Sequence, residues 1–94
     1  MPDAIFELLL TEAAIDKLGA RRISIEETHQ LVRNANVTVC NPRSDPPDKR
    51  RLMIGRTDGG RALTLVVERT SDPTTWLTIT GGDATPRERR LLRS

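Results

Sequence analysis

Two runs rich in aliphatic and β-branched residues lie on either side of a glycine-containing turn in the middle of the chain. They read RRLMIGRT and RALTLVVERT, with DGG at 58–60 between them, which is the strongest short-range pattern for a β-hairpin. The alternating segment NVTVC at 36–40 precedes this hairpin, and TTWLTIT follows it after an SDP turn at 71–73. The pattern predicts an antiparallel meander of three or four strands, the last of which ends at Gly81 and Gly82.

Helical patterns flank the meander. Thr11 precedes the first predicted helix, TEAAIDKLGA, and Ser24 opens an S-x-x-E capping box in the second, RRISIEETHQLVRN. Thr85 opens the third, TPRERRLLRS, with proline at the first helical position. The apolar segment at 4–10 predicts a short strand. Because elements of one kind are grouped, the fold class is α+β, with two N-terminal helices on the sheet, a short C-terminal helix and a single domain over 1–94.

One face of the predicted sheet is apolar and the other is left open as the expected working surface. The residues expected to pack together are Leu63, Leu65 and Val67 on the hairpin and Ile25, Leu31 and Val32 on the second helix. In the last strand, alternation places Leu77 and Ile79 on one face and Trp76, Thr78 and Thr80 on the other. Trp76 is either the anchor of a binding face or the cover of a second small core beneath the loop NPRSDPPDKR.

The composition excludes several kinds of chemistry. Hydrophobic residues make up 36% of the chain, but no apolar run approaches the ~18 residues of a membrane span, so no membrane contact and a cytoplasmic location are expected. One histidine, His29, and one cysteine, Cys40, cannot assemble a zinc site, and neither a metal nor a cofactor is expected. Cys40 ends a predicted strand and is expected to be a small buried group. The absence of tyrosine disfavours RNA domains that read single strands by stacking.

The charge is distributed unevenly along the chain. Residues 1–40 carry four basic and six acidic side chains, whereas 41–94 carry eleven basic and seven acidic ones. Thirteen of the fifteen cations are arginine, whose planar guanidinium group suits phosphate better than a lysine does. The basic half is compatible with a nucleic-acid partner, and equally with an ordinary solvated surface.

Three stretches of the chain, in order, resemble the BrnT-like branch of the RelE superfamily of toxins from bacterial toxin–antitoxin pairs. They are RRISIEETHQL, similar to the segment entering the second helix of those toxins; RRLMIGRTDGGRALTLVVE, similar to their central hairpin; and LTITGGDATPRERRLL, similar to their last strand and the tail that follows. The resemblance implies a small, metal-independent ribonuclease that a cognate antitoxin protein neutralises.

Carried over residue by residue, the resemblance matches five positions: Arg56, Arg61, Arg87, Glu88 and Arg89. The family's histidine near the end of the first helix is absent, and the chain has Lys17, Arg21 and Arg22 in that region. Gly82 and Asp83 stand where the family carries basic residues at the end of the last strand.

Cleavage of RNA without a metal needs a base, an acid and a cation at the phosphorus. Arginine is a poor proton carrier, which leaves Lys17, His29, Glu68 and Glu88 as the plausible carriers. The candidate catalytic residues are Arg56 for charge stabilisation and, among these carriers, Lys17 and Glu88. The candidates for contact with RNA or a protein partner are Arg21, Arg22, Arg51, Arg61, Trp76, Thr80, Arg87, Arg89 and Arg90.

Structural roles compete with these functional ones. Arg56 could pair with Asp58 or Glu68 across the hairpin, and the arginines of the last helix could stabilise that helix itself. The rival to the toxin hypothesis is therefore an interaction module of the same fold, without catalysis, that binds a protein or nucleic acid. A small DNA-binding protein is a third class, although the N-terminal part is acidic. The oligomeric state does not follow from the sequence.

Overall fold

The computed structural model describes Ile5, residues 7–41 and residues 49–92. Along the chain, the elements are β1 (Glu7–Leu10), α1 (Glu12–Ala20), α2 (Ile25–Arg33), β2 (Asn36–Cys40), β3 (Arg50–Arg56), β4 (Ala62–Arg69), β5 (Thr75–Asp83) and α3 (Pro86–Leu91). The α+β class and the central hairpin are thus confirmed. Most of the loop predicted between β2 and β3, at 42–48, lies outside the described residues.

The sheet has five strands in the order β1-β5-β4-β3-β2 and is mixed, so the prediction of a three- or four-stranded antiparallel sheet is wrong. The difference lies in β1, which pairs in parallel with β5 and sets Leu8 beside Trp76 and Leu10 beside Thr78. The helices α1 and α2 follow β1 directly in the chain and separate it in sequence from the rest of the sheet. The strand itself was predicted at 4–10, but its place in the sheet was not, because local patterns contain no information on which distant strand a segment joins.

A β-bulge in β5 changes which side chains share a face. Between Val66 and Val67 of β4, the paired residue on β5 moves from Thr80 to Thr78, so Ile79 is an extra residue. A bulge shifts the alternation by one position. Thr80 therefore lies on the opposite face from Thr78, against the prediction from simple alternation, and β5 continues beyond Gly81 to Asp83.

The first face of the sheet packs against α1 and α2 and is buried. Its core consists of fully or almost fully buried residues: Ile5, Leu8, Leu18, Ile23, Leu31, Met53, Leu63, Leu65, Val67 and Trp76. The predicted packing of the β4 residues on α2 is confirmed for Leu31 and Val32, but Ile25 is 42% exposed and takes no part in the core. Trp76 is 1% exposed within this main core, so both interpretations offered for it are wrong.

The predicted helix caps are present. The Thr11 hydroxyl accepts a hydrogen bond from the backbone N–H of Ala14 at 3.1 Å. Ser24 and Glu27 form the reciprocal capping box that starts α2. Thr85 starts α3 in the same way, with Pro86 in its first turn. Local sequence is sufficient for these helix starts because each cap satisfies N–H groups only two or three residues away.

The second face, which we call the open face, is covered only in part. Ile54, Ala62 and Ala84 form a small buried cluster on that side, and Val37, Val39 and Leu92 pack against it. The open face therefore becomes a shallow surface beside α3, as predicted in outline. Cys40, at the end of β2, is exposed rather than buried, because the strand lies at the edge of the sheet. Among the described residues, no helix is long and apolar enough to cross a membrane.

Candidate functional site

A cavity of about 470 Å³ opens on the open face, between the β3–β5 sheet and the start of α3. We call this cavity the groove. It is lined by Arg21, Asn41, Leu52, Thr64, Val66, Thr80, Gly81, Gly82, Asp83, Thr85 and Glu88. Three of the predicted site residues, Arg21, Thr80 and Glu88, come together here although they are far apart in the chain. Thr80 reaches the groove because of the bulge in β5.

Arg21 reaches the groove from the turn between α1 and α2. Its guanidinium group lies against Gly82, since a Cβ atom built on that glycine would be 2.8 Å from Nη1 of Arg21. Any side chain at position 82 would displace the guanidinium group. The Arg21 side chain donates no hydrogen bond to a described residue and forms no ion pair with one, and the residue is exposed. The groove thus contains a cation that lacks an ionic partner among the described residues.

Arg61 holds the turn that carries Arg21. Its guanidinium group donates to the carbonyl oxygen of Arg21 at 3.0 Å, to that of Arg22 at 2.6 Å and to Oδ1 of Asp83 at 2.9 Å. The hydrogen bond that Arg61 donates to the Asp83 carboxylate is the main cause that raises the pKa of Arg61 above its ordinary value. Arg22 has a φ of 60°, in the left-handed region that side-chain-bearing residues avoid. Arg61 therefore stabilises a strained turn and is a positioning residue.

Two polar groups complete the groove. Glu88 Oε1 accepts the backbone N–H of Thr85 at 2.8 Å, which fixes the carboxylate at the start of α3. Thr64 pairs with Gly82 across β4 and β5, is 8% exposed, and its Oγ1 is buried without a hydrogen-bond partner. Among the described residues, Trp76 Nε1 and Thr78 Oγ1 are also buried without a partner, but only the Thr64 hydroxyl belongs to a residue that lines the groove.

Arg56 lies elsewhere, in a second cavity of about 590 Å³ between the hairpin turn and the end of α3. Its Nη1 donates to the carbonyl oxygen of Gly60 at 3.1 Å and so closes the hairpin turn. The proposed pairing with Asp58 or Glu68 is not found, because Asp58 pairs with Arg33 and Glu68 with Lys49 and Arg50. The role of Arg56 within the structure is thus local, at the turn.

The remaining predicted residues do not join the groove. Lys17 is exposed on α1, so the three catalytic candidates Arg56, Lys17 and Glu88 lie at three separate places. Arg51 pairs with Val67 of β4 in register, on the face towards the helices. The arginines of α3 are exposed and line neither cavity: Arg87, Arg89 and Arg90.

The sequence did not point to Thr64 or to the role of Gly82. A threonine in an alternating strand has no sequence signature of a binding residue. Two adjacent glycines at the end of a strand do carry a signal, because glycine within a strand often marks the close approach of another group. The described residues contain no group of three or more His, Cys, Asp or Glu side chains that could hold a metal ion.

The fold is thus α+β, with a five-stranded mixed sheet, two helices on one face and a groove on the other. A family model described as Domain of unknown function (DUF4258) matches residues 10–80, and the chain belongs to this family. The matched segment contains Arg21, Arg61, Thr64 and Thr80, whereas Gly82 and Glu88 lie beyond it. No curated protein and no solved structure matches the chain.

Proposed function

We propose that this protein is a toxin-fold member of a toxin–antitoxin pair and that it binds RNA in the groove. The observation that carries the proposal is the convergence of Arg21, Thr80 and Glu88 on one cavity of the open face. The order of elements, with two helices before the meander and a short helix after it, agrees with what the resemblance to RelE and BrnT-like toxins implies. A cytoplasmic location and an antitoxin protein that covers the groove belong to the same proposal.

The chemistry of the groove favours a phosphodiester as ligand. A guanidinium group gives charge-assisted hydrogen bonds to phosphate oxygens, and hydroxyl groups commonly add neutral ones. Leu52 and Val66 give the groove an apolar floor beside these polar groups, which reduces the screening of the Arg21 charge by water. The basic C-terminal half of the chain provides the long-range attraction that draws a polyanion towards the site.

Cleavage of the bound RNA is the second candidate activity, and the presence of Glu88 in the same groove as Arg21 favours it. In such a reaction the Glu88 carboxylate takes the proton of a 2′-hydroxyl. The 2′-oxygen then attacks the adjacent phosphorus, the bond to the 5′-oxygen breaks, and water protonates that leaving oxygen. Arg21 stabilises the charge that develops on the phosphoryl oxygens. Arg56 and Lys17 have no place in this step, because neither lines the groove.

Both activities can be tested on the purified protein, free of any antitoxin, with a fluorescent single-stranded RNA and a chelator present throughout. We expect the anisotropy to report binding that weakens as salt rises, since phosphate contacts release counterions. RNA that stays free at low salt would contradict the proposed function.

Cleavage is followed on a gel with the same RNA. We expect Glu88→Gln to abolish it while leaving binding intact, because glutamine still caps α3 and only the base is removed. Arg56→Ala is the matched control for the other cavity. Cleavage that survives Glu88→Gln but falls about 10²–10³-fold in Arg56→Ala would place the reaction at the second cavity. Activity that appears only with a divalent metal would contradict the metal-free mechanism.

A further inference from the structure

We infer that the groove contains a subsite for a single phosphate group, formed by the guanidinium group of Arg21 over Gly82 and by the hydroxyls of Thr64 and Thr80. Gly82 is then the residue that creates the subsite, because it leaves the space that the guanidinium group occupies. The inference rests on the proposed function only in naming RNA as the polymer that carries the phosphate.

Arg21 is held in place beside Gly82. The tip of the long, exposed Arg21 side chain lies against the backbone of β5, 2.8 Å from where a Cβ of residue 82 would be. The backbone of its turn is held by two hydrogen bonds from Arg61. A guanidinium group on an anchored turn loses less entropy on binding than one on a mobile loop.

The acidic groups of the groove that could neutralise Arg21 are engaged by other residues. The groove contains two carboxylates, and both have other partners. Asp83 accepts from Arg61 at 2.9 Å, and Glu88 accepts from the backbone N–H of Thr85 at 2.8 Å. Neither forms an ion pair with Arg21, so its positive charge remains available to an external anion.

The hydroxyl of Thr64 is an unpartnered polar group in the same groove. Its side chain is more than nine-tenths buried and lines the same cavity, next to Gly82 in the strand register. Thr80 lies two residue pairs further along β4 and β5, and therefore on the same face. A phosphate oxygen between these threonines would give the Thr64 hydroxyl the partner it lacks, while a second oxygen meets Arg21. A tetrahedral phosphate suits this arrangement better than a planar carboxylate, because its oxygens point to several sides.

The test is an NMR titration with the dinucleotide uridylyl-(3′,5′)-uridine, with acetate as the planar anion and inorganic phosphate as the free anion. We expect the dinucleotide and phosphate to shift the Arg21 Nε–Hε signal and the amides of Thr64 and Thr80, and acetate to shift them little. Arg21→Ala is expected to weaken dinucleotide binding about tenfold or more, since hydrogen bonds to a charged group are among the strong ones.

Gly82→Ala is the sharper variant, because it keeps the side chains of Arg21, Thr64 and Thr80 in the chain and changes only the space for Arg21. We expect it to weaken binding as Arg21→Ala does, while the amide spectrum shows an intact fold. Arg33→Ala is the matched control: it removes one cation from the end of α2, outside the groove, and should leave binding unchanged.

Equal weakening by Arg33→Ala and Arg21→Ala would overturn the subsite, because the effect would then be one of net charge. Binding that tolerates Gly82→Ala would overturn it as well. If RNA binds the wild type and Arg21→Ala equally, the subsite is wrong while RNA binding stands. If the dinucleotide and phosphate bind at Arg21 but longer RNA binds no more tightly, the subsite is correct and the proposed RNA function is wrong.

Discussion

The two faces of the sheet share the same strands but differ in what covers them. The face towards α1 and α2 carries residues with almost no exposed area, among them Leu63, Leu65 and Val67. On the open face, Val66 and Thr80 remain partly exposed, and α3 covers only the end of the sheet around Ile54. One face supplies the packing energy, and the other is free to carry polar groups and a cavity.

Gly81 and Gly82 show this difference in adjacent residues. A Cβ on Gly81 would lie 2.6 Å from Cδ2 of Leu65 and 3.1 Å from the carbonyl oxygen of Thr64, inside the core. A Cβ on Gly82 would meet only the flexible tip of Arg21. The first glycine is needed for packing, whereas the second is needed only if the position of Arg21 matters. Stability and binding measurements can therefore separate the two faces.

The largest contrast is expected between Leu65→Ala and Val66→Ala. Leu65 is fully buried, so its truncation should lower the free energy of unfolding by ~2–5 kcal/mol through lost burial and a cavity. Val66 faces the groove, and its truncation should lower the free energy of unfolding by clearly less. Urea unfolding followed by circular dichroism measures both, and equal losses would show that the two faces are packed alike.

The next contrast is between the two glycines. Gly81→Ala should destabilise the protein by about 1–3 kcal/mol, because the new methyl group overpacks a region bounded by backbone and by Leu65. Gly82→Ala should stay within about 0.5 kcal/mol of the wild type, since only a side-chain tip must move. Thermal unfolding of the two variants side by side checks this, and a reversed order would contradict the assignment of the faces.

The smallest effect concerns α3, the one described helix on the open face. Thr85→Ala removes the capping hydroxyl that accepts from the N–H of Glu88 and should cost about 1 kcal/mol. Thr85→Ser keeps a capping hydroxyl and is the matched control. The amide exchange rates of residues 87–91 measure the opening of this helix. A serine variant as mobile as the alanine variant would show that capping does not hold α3 in place.

Several predicted elements came from local interactions and are found in the structure. The caps at Thr11, Ser24 and Thr85 depend on hydrogen bonds that span three residues, and the hairpin depends on a turn between neighbouring strands. The burial of Trp76 in the main core could not be predicted from local interactions. Its burial depends on β1, which joins the far edge of the sheet and brings Leu8 beside it.

The residues of the groove likewise divide into what the sequence indicated and what only the structure decided. Sequence and resemblance selected Arg21, Thr80 and Glu88 among a larger set, but they also selected Arg56 and Lys17, which lie away from the groove. Residue type indicates what chemistry a side chain can perform. It does not indicate which side chains meet, because that depends on contacts between residues distant in the chain.

The sequence by itself determined the α+β class, the helix starts, the central hairpin and a basic second half, because each follows from periodicity, capping or charge within a short segment. Only the tertiary structure decided that β1 completes a mixed sheet, that the extra residue Ile79 turns Thr80 to the open face, and that Arg21 lies over Gly82. These features arise from pairing between distant strands and from a one-residue shift in register, and a local pattern of residues encodes neither.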